Sequence, residues 1–364
     1  MKILVNATAA RGSGALTVLR QFLLHLGKED RVNQYFLFYD PSVEIENENN
    51  VIRIPVDTKS WWRRILWDCR GIEKWCQWND IKPDLVISLQ NTGVVCRVPQ
   101  LIYYHQLLPL VRKRWNFLSS RERSLFVYTH FYSFFVRLFL RNNSFFVVQI
   151  PSVRDAFCKK FRVETSKVFV LRPDIKVLDY SSVPLINFGD DCIHFVYPAT
   201  PLVYKNHRCL VEVLDVLRKS NPQIVGRVRI HFTFSREMNM ALWKSICRMK
   251  LEKCFVFDGN VPFNRLLSYY KSCRALLFPS YIESFGLPLV EAAGAGLPVL
   301  VTDLPYARDV IGKYVGAYFI GNNDIKAWAE AMEVVCKTST RYEPFSVEGD
   351  SDWISFFRLV NKIV

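Results

Sequence analysis

The sequence has no C-x-x-C pair and no cluster of Cys and His at metal-ligand spacing, although it contains ten cysteines and six histidines. This scatter excludes the common zinc motifs and favours reduced, mostly buried thiols in a reducing compartment. An uncharged apolar run of about 18 residues, enough to span a bilayer, is also absent. The longest candidate, 124–136, lies between Arg123 and Arg137. The opening stretch, MKILVNATAARG, has too short an apolar run for a signal peptide and predicts a first strand.

Acidic residues are scarce in the first half of the chain. Residues 1–172 carry 26 Lys and Arg against 14 Asp and Glu, a net charge of +12, whereas residues 173–364 carry a net +2. Such a basic half indicates an acidic partner: nucleic acid, an anionic membrane or a phosphorylated substrate. Nucleic acid is the weakest of these, because no recognised nucleic-acid module accompanies the charge.

The most informative stretch is 275–303, ALLFPSYIESFGLPLVEAAGAGLPVLVTD. Its pattern predicts a buried strand at 275–279, a loop at 280–287, a helix beginning at Pro288 and a second strand at 298–302. Proline suits the first helical turn, and the glycines at 294 and 296 suit the helix end. The stretch is therefore predicted to be a strand–loop–helix–strand unit of a parallel sheet.

The point where the strand gives way to the helix suits an anion, because free backbone N–H groups and the helix dipole meet there. Gly286 allows the backbone to approach a phosphate closely. Glu291, expected in the first helical turn, follows Glu283 by eight positions. A carboxylate held there can accept hydrogen bonds from neighbouring hydroxyls, as on a ribose. The alternative is that both glutamates are solvated and the glycines serve only packing.

This stretch resembles the nucleotide-sugar site of family 4 retaining glycosyltransferases, which have the GT-B fold. The E-x7-E signature of that family stands here as Glu283-Ser-Phe-Gly-Leu-Pro-Leu-Val-Glu291, followed by Gly296-Leu-Pro-Val299. The resemblance implies that Glu283 is catalytic and that the remaining residues bind the donor: Ser284, Phe285, Gly286, Leu287 and Glu291. It is dense over residues 193–320 and looser over the first half.

Two further segments of the second half match the family's pattern. Lys205 follows a predicted strand, and the resemblance implies that it contacts the donor diphosphate as a catalytic cation. The family usually has a second cation at the position of Thr200, so only one is certain here. The segment 258–261 resembles the loop whose backbone meets the nucleotide base, which implies donor-binding roles for Gly259 and Val261.

The first half offers two candidate sites at predicted strand ends. Gly12, Ser13 and Gly14 follow the first strand, where open α/β sheets bind ligands. His105 follows the strand at 100–104, and the resemblance implies a catalytic position near the donor sugar. Gln106 stands where many family members have Asp, which puts any role of a carboxylate there in doubt.

Strands and helices alternate along the chain, which predicts an α/β protein with two Rossmann-like domains facing a cleft. The expected boundaries are an acceptor-side domain at 1–172, a linker at 173–191 and a nucleotide-sugar-binding domain at 192–343. The terminal helix, 344–364, is expected to cross back to the first domain, as in GT-B proteins. Asp350-Ser-Asp352 is the chain's D-x-D, but it precedes an apolar helix and is interpreted as a helix cap, so no metal ligand is assigned.

Two segments of the first half combine basic and aromatic residues. They are 61–78, rich in Trp and Arg, and 112–141, which has seven Lys or Arg, one acid and nine aromatic residues. Such helices are typical of anionic membrane surfaces. The alternative is that each helix packs its aromatic stripe on the sheet and keeps a solvated basic face, and both can hold on opposite faces.

The sequence thus predicts a metal-independent retaining glycosyltransferase without a cofactor, of hexosyl or N-acetylhexosaminyl type. It would transfer sugar from a nucleotide-sugar donor to a glycan or lipid-linked acceptor in bacterial surface-polysaccharide or lipopolysaccharide biosynthesis. A cytoplasmic location at the inner face of the membrane is expected. Two alternatives stay open: a GT-B nucleotide-sugar epimerase, which needs no acceptor, and a non-catalytic sugar-binding scaffold.

Overall fold

The computed structural model describes residues 1–45, 48–111, 113, 115–119, 122–175, 178–346 and 352–364. The chain forms two compact units, one comprising Met1–Asp174 with Gly349–Val364 and the other Ile175–Glu348. The division after Asp174 falls inside the segment predicted as linker, most of which belongs to the second unit.

The first unit is built on a parallel sheet. Its strands are β1 (Lys2–Ala7), β2 (Gln34–Tyr39), β3 (Val51–Pro55), β4 (Leu85–Ser88), β5 (Gln100–Tyr103), β6 (Ser144–Val148) and β7 (Val168–Val170). Its helices before the linker are α1 (Ser13–Glu29), α2 (Trp61–Leu66), α3 (Ile72–Trp78), α4 (Arg123–Leu138) and α5 (Pro151–Phe161). A π-helical turn, Trp67–Gly71, joins α2 to α3.

The second unit has the same construction. Its strands are β8 (Ile193–Tyr197), β9 (Val228–Phe232), β10 (Phe255–Phe257), β11 (Ala275–Phe278), β12 (Val299–Thr302) and β13 (Ala317–Ile320). Its helices are α6 (His207–Ser220), α7 (Pro222–Arg227), α8 (Met240–Arg248), α9 (Phe263–Ser272), α10 (Leu287–Gly294), α11 (Pro305–Ile311) and α12 (Ile325–Lys337). The last helix of the chain is α13 (Asp352–Ile363).

Both sheets reverse direction at one point, which places the sites. The strand order is β3-β2-β1-β4-β5-β6-β7 in the first sheet and β10-β9-β8-β11-β12-β13 in the second. Each sheet therefore grows outward in both directions from one neighbouring pair, β1 with β4 and β8 with β11. Ligands of open α/β sheets bind beside the carboxyl ends of such a pair. The predicted class of two Rossmann-like α/β domains is confirmed.

The core of the first unit covers both faces of its sheet. One face packs against α1 and α13, where Phe22 lies against Phe357 with ring centroids 5.6 Å apart. On the other face, Trp67 and Trp75 pack edge-on against Phe38 at 5.1 and 5.0 Å. The helical region predicted at 61–78 thus uses part of its tryptophan content as core.

The terminal helix α13 belongs to the first unit, as predicted. Trp353 stacks on Tyr103 at 5.8 Å, and Asp352 accepts hydrogen bonds from the backbone and guanidinium of Arg172 at 2.7 and 3.1 Å. Asp352 is the first helical residue, and Asp350 and Ser351 of the D-x-D lie outside the described residues. Among the described residues, no cluster of three or more His, Cys, Asp and Glu is placed to hold a metal ion.

Two expectations about composition need correction or narrowing. The ten cysteines all lie in the described part of the chain and are free, but only four are buried and six are partly exposed, so the expectation of mostly buried thiols was wrong. The basic segment 112–141 is helical only over α4, and Arg112, Arg114 and Arg121 lie outside the described residues. No helix in the described ranges combines the length and apolar character needed to cross a bilayer.

Candidate functional site

The loops that follow β8 and β11 meet beside the reversal point of the second sheet. There the ammonium Nζ of Lys205 lies 2.6 Å from Oε1 of Glu283. The two side chains are 17% and 11% exposed, so this ion pair is largely shielded from solvent. Residues 78 positions apart in sequence meet because β8 and β11 are adjacent parallel strands. The structure thus brings together two of the predicted catalytic residues.

The loop that carries Lys205 is held at both ends. Lys205 ends a short 3-10 turn, Val203–Lys205, and Asn206 reverses the chain with φ +54 before α6 begins. The buried hydroxyl of Tyr197 donates a 2.6 Å hydrogen bond to the carbonyl of Lys205. Thr200, the position where a second cation was expected, is exposed in the same loop. Lys205 is therefore a positioned cation and Thr200 supplies no charge.

The loop that carries Glu283 is tied to the first one. The amide of Tyr281 donates to the carbonyl of Tyr204 at 3.0 Å, and the hydroxyl of Tyr306 donates to the carbonyl of Ser280 at 2.7 Å. Burial raises the pKa of Tyr204 to about 12, so this phenol is neutral at neutral pH. These contacts fix the backbone around Glu283 before any ligand arrives.

The start of α10 presents backbone donors next to this pair. Gly286 precedes the helix with φ +88, a conformation that suits glycine, and a Cβ there would meet Leu289 at 3.1 Å. Among the hydrogen bonds of the described residues, none is donated by the amides of Phe285 and Gly286. Phe285 is buried and Ser284 partly buried. The geometry suits an anion beside Leu287, the first residue of the helix.

Glu291 lies deeper than the sequence indicated. The helix begins at Leu287 rather than Pro288, so Glu291 is its fifth residue and the expectation of a first-turn position was wrong. The hydroxyl of Tyr270 donates to Oε2 of Glu291 at 2.9 Å, and the hydroxyl of Tyr180 donates to the Glu291 carbonyl at 2.7 Å. Burial raises the pKa of Glu291, while the Tyr270 hydrogen bond opposes that shift. One carboxylate oxygen, Oε1, has no printed protein donor competing for it.

The segment predicted to meet a nucleotide base follows β10. Gly259 turns the chain with φ +71, and Val261 is partly buried just before α9. Asp258 and Gly259 line an open cavity of about 490 Å³ whose other walls are Ser235, Arg236, Glu237, Trp243, Phe255 and Phe257. The Arg236 guanidinium lies 5.0 Å from the Trp243 ring. A cavity with an aromatic wall and mixed charges has the chemistry of a site for a planar, polar ring.

The first unit places the glycine-rich turn at the start of α1. The helix begins at Ser13, with Gly12 as its N-cap in extended conformation and Gly14 inside the first turn. A Cβ on Gly12 or Gly14 would meet no atom within 4 Å. Neither glycine is therefore required by its backbone or its neighbours, and the space beside this helix start is open.

His105 follows β5 and is held by Asn91, which sequence reasoning missed. The Asn91 side chain accepts from the His105 amide at 2.5 Å and lies 3.2 Å from Nε2 of the ring. Because the Asn91 amide nitrogen donates to Nε2, the ring proton belongs on Nδ1, a buried atom without a partner among the described residues. Burial, and then the charge of Arg64, lower the pKa of His105 to about 4, so the ring is neutral at neutral pH.

A buried polar network surrounds the reversal point of the first sheet. The Asp68 carboxylate accepts from Asn6 and Gln90, each at 2.9 Å, and burial raises its pKa to about 6. Arg64 donates to the Gln90 carbonyl at 3.0 Å. The signal available in the sequence was the polar pair Gln90-Asn91 directly after a buried strand, the same signal that pointed to His105. Gln106 is partly exposed, and its side chain accepts from the Leu108 amide at 3.3 Å.

The predicted residues fall into two groups. Lys205, Glu283 and the start of α10 form one site in the second unit, with Glu291 behind it on the same helix. His105 and the Gly12–Gly14 turn belong to the first unit. The tyrosines that hold the donor-side loops carry no motif of their own, because a buried hydroxyl bonded to a carbonyl has no characteristic spacing in sequence.

Comparison with known proteins agrees with this arrangement. Residues 190–349 match the model of the family described as Glycosyl transferases group 1. The O-antigen chain mannosyltransferase RfbU of Salmonella typhimurium is 22% identical over 253 residues, which cover 68% of this chain and 66% of the relative. The chain thus spans just under two thirds of that relative's length.

Solved structures resemble the whole chain in fold. WaaG, a glycosyltransferase involved in lipopolysaccharide biosynthesis, matches with a TM-score of 0.66 and 14% identity, covering 93% of this chain and 91% of its own. HepE of Anabaena, solved with UDP and glucose, matches with a TM-score of 0.65 and 13% identity over 100% of both chains. At these identities the likeness shows the fold, which is that of GT-B proteins.

Proposed function

We propose that this protein is a retaining glycosyltransferase that moves a sugar from a nucleoside-diphosphate sugar to a glycan or lipid-linked acceptor. The observation that carries the proposal is the Lys205–Glu283 ion pair at the reversal point of the second sheet, beside the free amides before α10. The match of residues 190–349 to group 1 glycosyltransferases supports it, since that range contains the whole site.

Each donor group has a partner of suitable chemistry. An ammonium has three N–H donors, and Glu283 takes one of those of Lys205, which leaves two for a diphosphate oxygen. The amides of Phe285 and Gly286 and the dipole of α10 add fixed positive potential. Oε1 of Glu291 accepts hydroxyls of the ribose, and the cavity beside Gly259 takes the base.

The reaction needs stabilisation of the leaving diphosphate more than a protein nucleophile. Negative charge grows on the diphosphate as the glycosidic bond breaks, and donors fixed in advance typically contribute about 10²–10³ each in rate. Lys205 and the amides before α10 supply this role without a metal ion. Glu283 is tied to Lys205, so a front-face substitution suits the site better than a covalent glycosyl–Glu283 intermediate.

The acceptor side is proposed to work at an anionic membrane. Residues on α2 and α4 form an exposed apolar face of the first unit, consisting of Trp61, Trp62, Leu66, Val127, Tyr128, Phe131, Phe134 and Leu138. Trp61 contacts Phe135 edge-on at 4.6 Å, which joins the two helices into one surface. Both alternatives for these helices thus hold at once, since Leu125, Thr129, Tyr132 and Val136 of α4 pack inward.

The charge of this half makes anionic lipid the matching occupant. The face belongs to a half with a net charge of +12, and Arg63 is exposed beside it. Arg64 points inward to Gln90, so it does not contribute to lipid binding. Lipid binding would place the enzyme at the cytoplasmic face of the membrane, where surface glycans are built on lipid carriers. The relative named as an O-antigen chain mannosyltransferase supports this assignment.

A thermal-shift screen of UDP-, GDP- and dTDP-sugars tests the donor class, because a ligand that binds only the folded state raises Tm. One nucleotide family is expected to stabilise the protein in a concentration-dependent way. Incubation of the matching donor without acceptor then separates transfer from epimerisation, because an epimerase would change the sugar of the donor under these conditions. No shift with any nucleotide would contradict the proposal.

A further inference from the structure

Four titratable side chains form an unbroken hydrogen-bonded chain inside the second unit. His194 on β8 and His231 on β9 face each other, with Nδ1 of the first 2.9 Å from Nε2 of the second. The outer nitrogen of each ring meets a carboxylate: Nε2 of His194 lies 2.8 Å from Asp190, and Nδ1 of His231 lies 2.8 Å from Asp258. None of these residues belongs to the Lys205–Glu283 pair described above.

Counting protons fixes the charge of this chain. An ionised carboxylate only accepts hydrogen bonds, so each ring must donate from its outer nitrogen. The contact between the rings then needs one more proton, because two nitrogen lone pairs facing each other at 2.9 Å would repel. The two rings together hold three N–H groups and a single positive charge. The four residues together therefore carry a net charge of −1.

The surroundings decide which ring holds that charge. The two histidines are 8% and 5% exposed, and Phe188 stacks on His194 with ring centroids 3.7 Å apart. Burial lowers the pKa of His194, which makes it the neutral acceptor and His231 the imidazolium. The groups that face the pair from the packed elements are Arg229 on β9, Tyr269 and Arg265 on α9, and Cys192 before β8.

The far end of the chain lies in the donor region. Asp258 begins the turn through Gly259 and lines the cavity assigned to the nucleotide base. Burial raises the pKa of Tyr269 to about 12, so its hydroxyl stays neutral beside Asp258. The imidazolium of His231 is thus the charged partner that holds the Asp258 carboxylate at the cavity wall.

We propose that the His194–His231 pair is a positioning device whose shared positive charge holds Asp258 and the following turn in the conformation that binds nucleotide. Loss of the proton removes one of the three hydrogen bonds, and the His231–Asp258 contact lies at the cavity end of the chain. Nucleotide binding should therefore weaken as pH rises and the pair is neutralised. This inference rests on the proposed function, because the cavity is taken to be the base site.

Two measurements test the inference separately from the proposed function. Imidazole nitrogen NMR of the ligand-free protein, from pH 5 to 10, is expected to show His231 protonated on both nitrogens at pH 7 and His194 protonated only on Nε2. Calorimetry with UDP and GDP, from pH 7 to 9.5, is expected to show the tighter ligand weakening about tenfold, which corresponds to a one-unit difference in pKa between free and bound protein. Above pH 7 the terminal phosphate, whose second pKa is about 6, is already ionised.

The variants separate positioning from simple structure. In His231→Gln the amide still donates to Asp258 but does not titrate, so binding is expected to become independent of pH over this range. His130→Gln, at an exposed histidine on α4 in the other unit, should follow the wild type. Should His231→Gln fail to fold, Asp190→Asn serves instead: it removes one carboxylate and should move the onset of weakening to lower pH.

The outcomes are distinct. Two neutral rings at pH 7 would overturn the shared charge whatever the nucleotide does. A charged pair with binding that does not change with pH would overturn the coupling to the base site. Absence of nucleotide binding at every pH would overturn the proposed function and the coupling with it, while the ring titration would still establish or exclude the charged pair.

Discussion

Lys205 and Glu283 form an ion pair of 2.6 Å between two loops that the sheet brings together, and each residue limits what the other can do. A largely shielded cation with a fixed partner has little freedom to follow a ligand, so its position is set before binding. Such preorganisation is what stabilises a transition state in which charge develops at one place. The pair therefore links the fold of the second unit to the proposed chemistry.

Lys205→Ala should lower kcat more than it raises the KM for the donor. The negative charge on the diphosphate is larger in the transition state than in the bound substrate, so removal of the cation costs more there. Steady-state kinetics with the matching nucleotide sugar gives both constants. A change confined to KM would show that Lys205 binds only the ground state.

A double-mutant cycle on unfolding free energy measures the pair itself. Lys205→Ala and Glu283→Gln should show a coupling of at least about 1.5 kcal/mol, the lower end for a hydrogen bond to a charged group. The matched control is Arg208–Glu212, a 2.7 Å pair on α6 whose arginine is solvent-exposed, where about 0.3–0.5 kcal/mol is expected. Equal coupling in the two pairs would mean that the shielding of Lys205 and Glu283 adds nothing.

Glu291→Ala should weaken binding of the matching nucleoside diphosphate by about 1.5–3 kcal/mol, the range for hydrogen bonds to a charged group. Calorimetry is the measurement. Tyr270→Phe, which removes the hydroxyl that donates to Glu291 but keeps the carboxylate, should weaken binding less. Unchanged affinity in Glu291→Ala would remove this residue from the ribose site.

Glu291→Gln should melt at a higher temperature than the wild type at pH 7 in the absence of ligand. Burial raises the pKa of Glu291 in the folded protein, so the ionised form is disfavoured there and costs stability at neutral pH. The difference in Tm should shrink as pH falls and the wild-type carboxyl takes up its proton. A variant less stable than wild type at pH 7 would mean that the ionised carboxylate supports the fold.

His105 should make the protein less stable in acid. Its pKa is about 4 in the folded protein, against about 6.5 for an exposed histidine, so the unfolded chain binds the proton first. The stabilisation is fully present above about pH 6.5 and is lost as pH falls toward 4, with a slope of up to about 1.4 kcal/mol per pH unit. Denaturant unfolding of wild type and His105→Gln over pH 4–7 should show a shallower slope in the variant.

The apolar face of α2 and α4 should bind anionic vesicles in a way that salt weakens without abolishing. Phe131→Ser with Phe134→Ser should reduce co-sedimentation at least tenfold, since each buried phenylalanine contributes about 1.5–3 kcal/mol. Phe263→Ser, at an exposed phenylalanine of the second unit, is the matched control. Equal recovery in the supernatant with anionic and neutral lipid at low salt would indicate a soluble acceptor.

The sequence predicted the order of strands well because parallel strands are short, apolar and separated by marked turns. β8 and β13 were predicted with the bounds observed, and the E-x7-E stretch located the loop before α10. It misplaced Glu291 relative to the first turn because a proline at position 288 can occupy either of the first two helical positions. That one-residue difference decides whether the side chain meets the helix start or the interior.

Side-chain partners could not be predicted, because they depend on which strands are neighbours. Asn91 and His105 are joined across adjacent strands β4 and β5, and Tyr270 reaches Glu291 from a different helix. The two histidines of the shared-charge pair are 37 positions apart, and neither lies in a recognised motif. The expected membrane role of Arg64 was wrong for the same reason, since only the fold shows that it turns toward Gln90.

The most direct test of the proposed activity is proton NMR of the product formed from the stabilising nucleotide sugar and a lipid-linked or glycan acceptor. The account predicts transfer with the anomeric configuration of the donor retained, and loss of that product in Lys205→Ala. Transfer with inverted configuration would contradict the retaining mechanism. Release of no nucleoside diphosphate with any acceptor, despite tight donor binding, would contradict the proposal that this protein is a transferase.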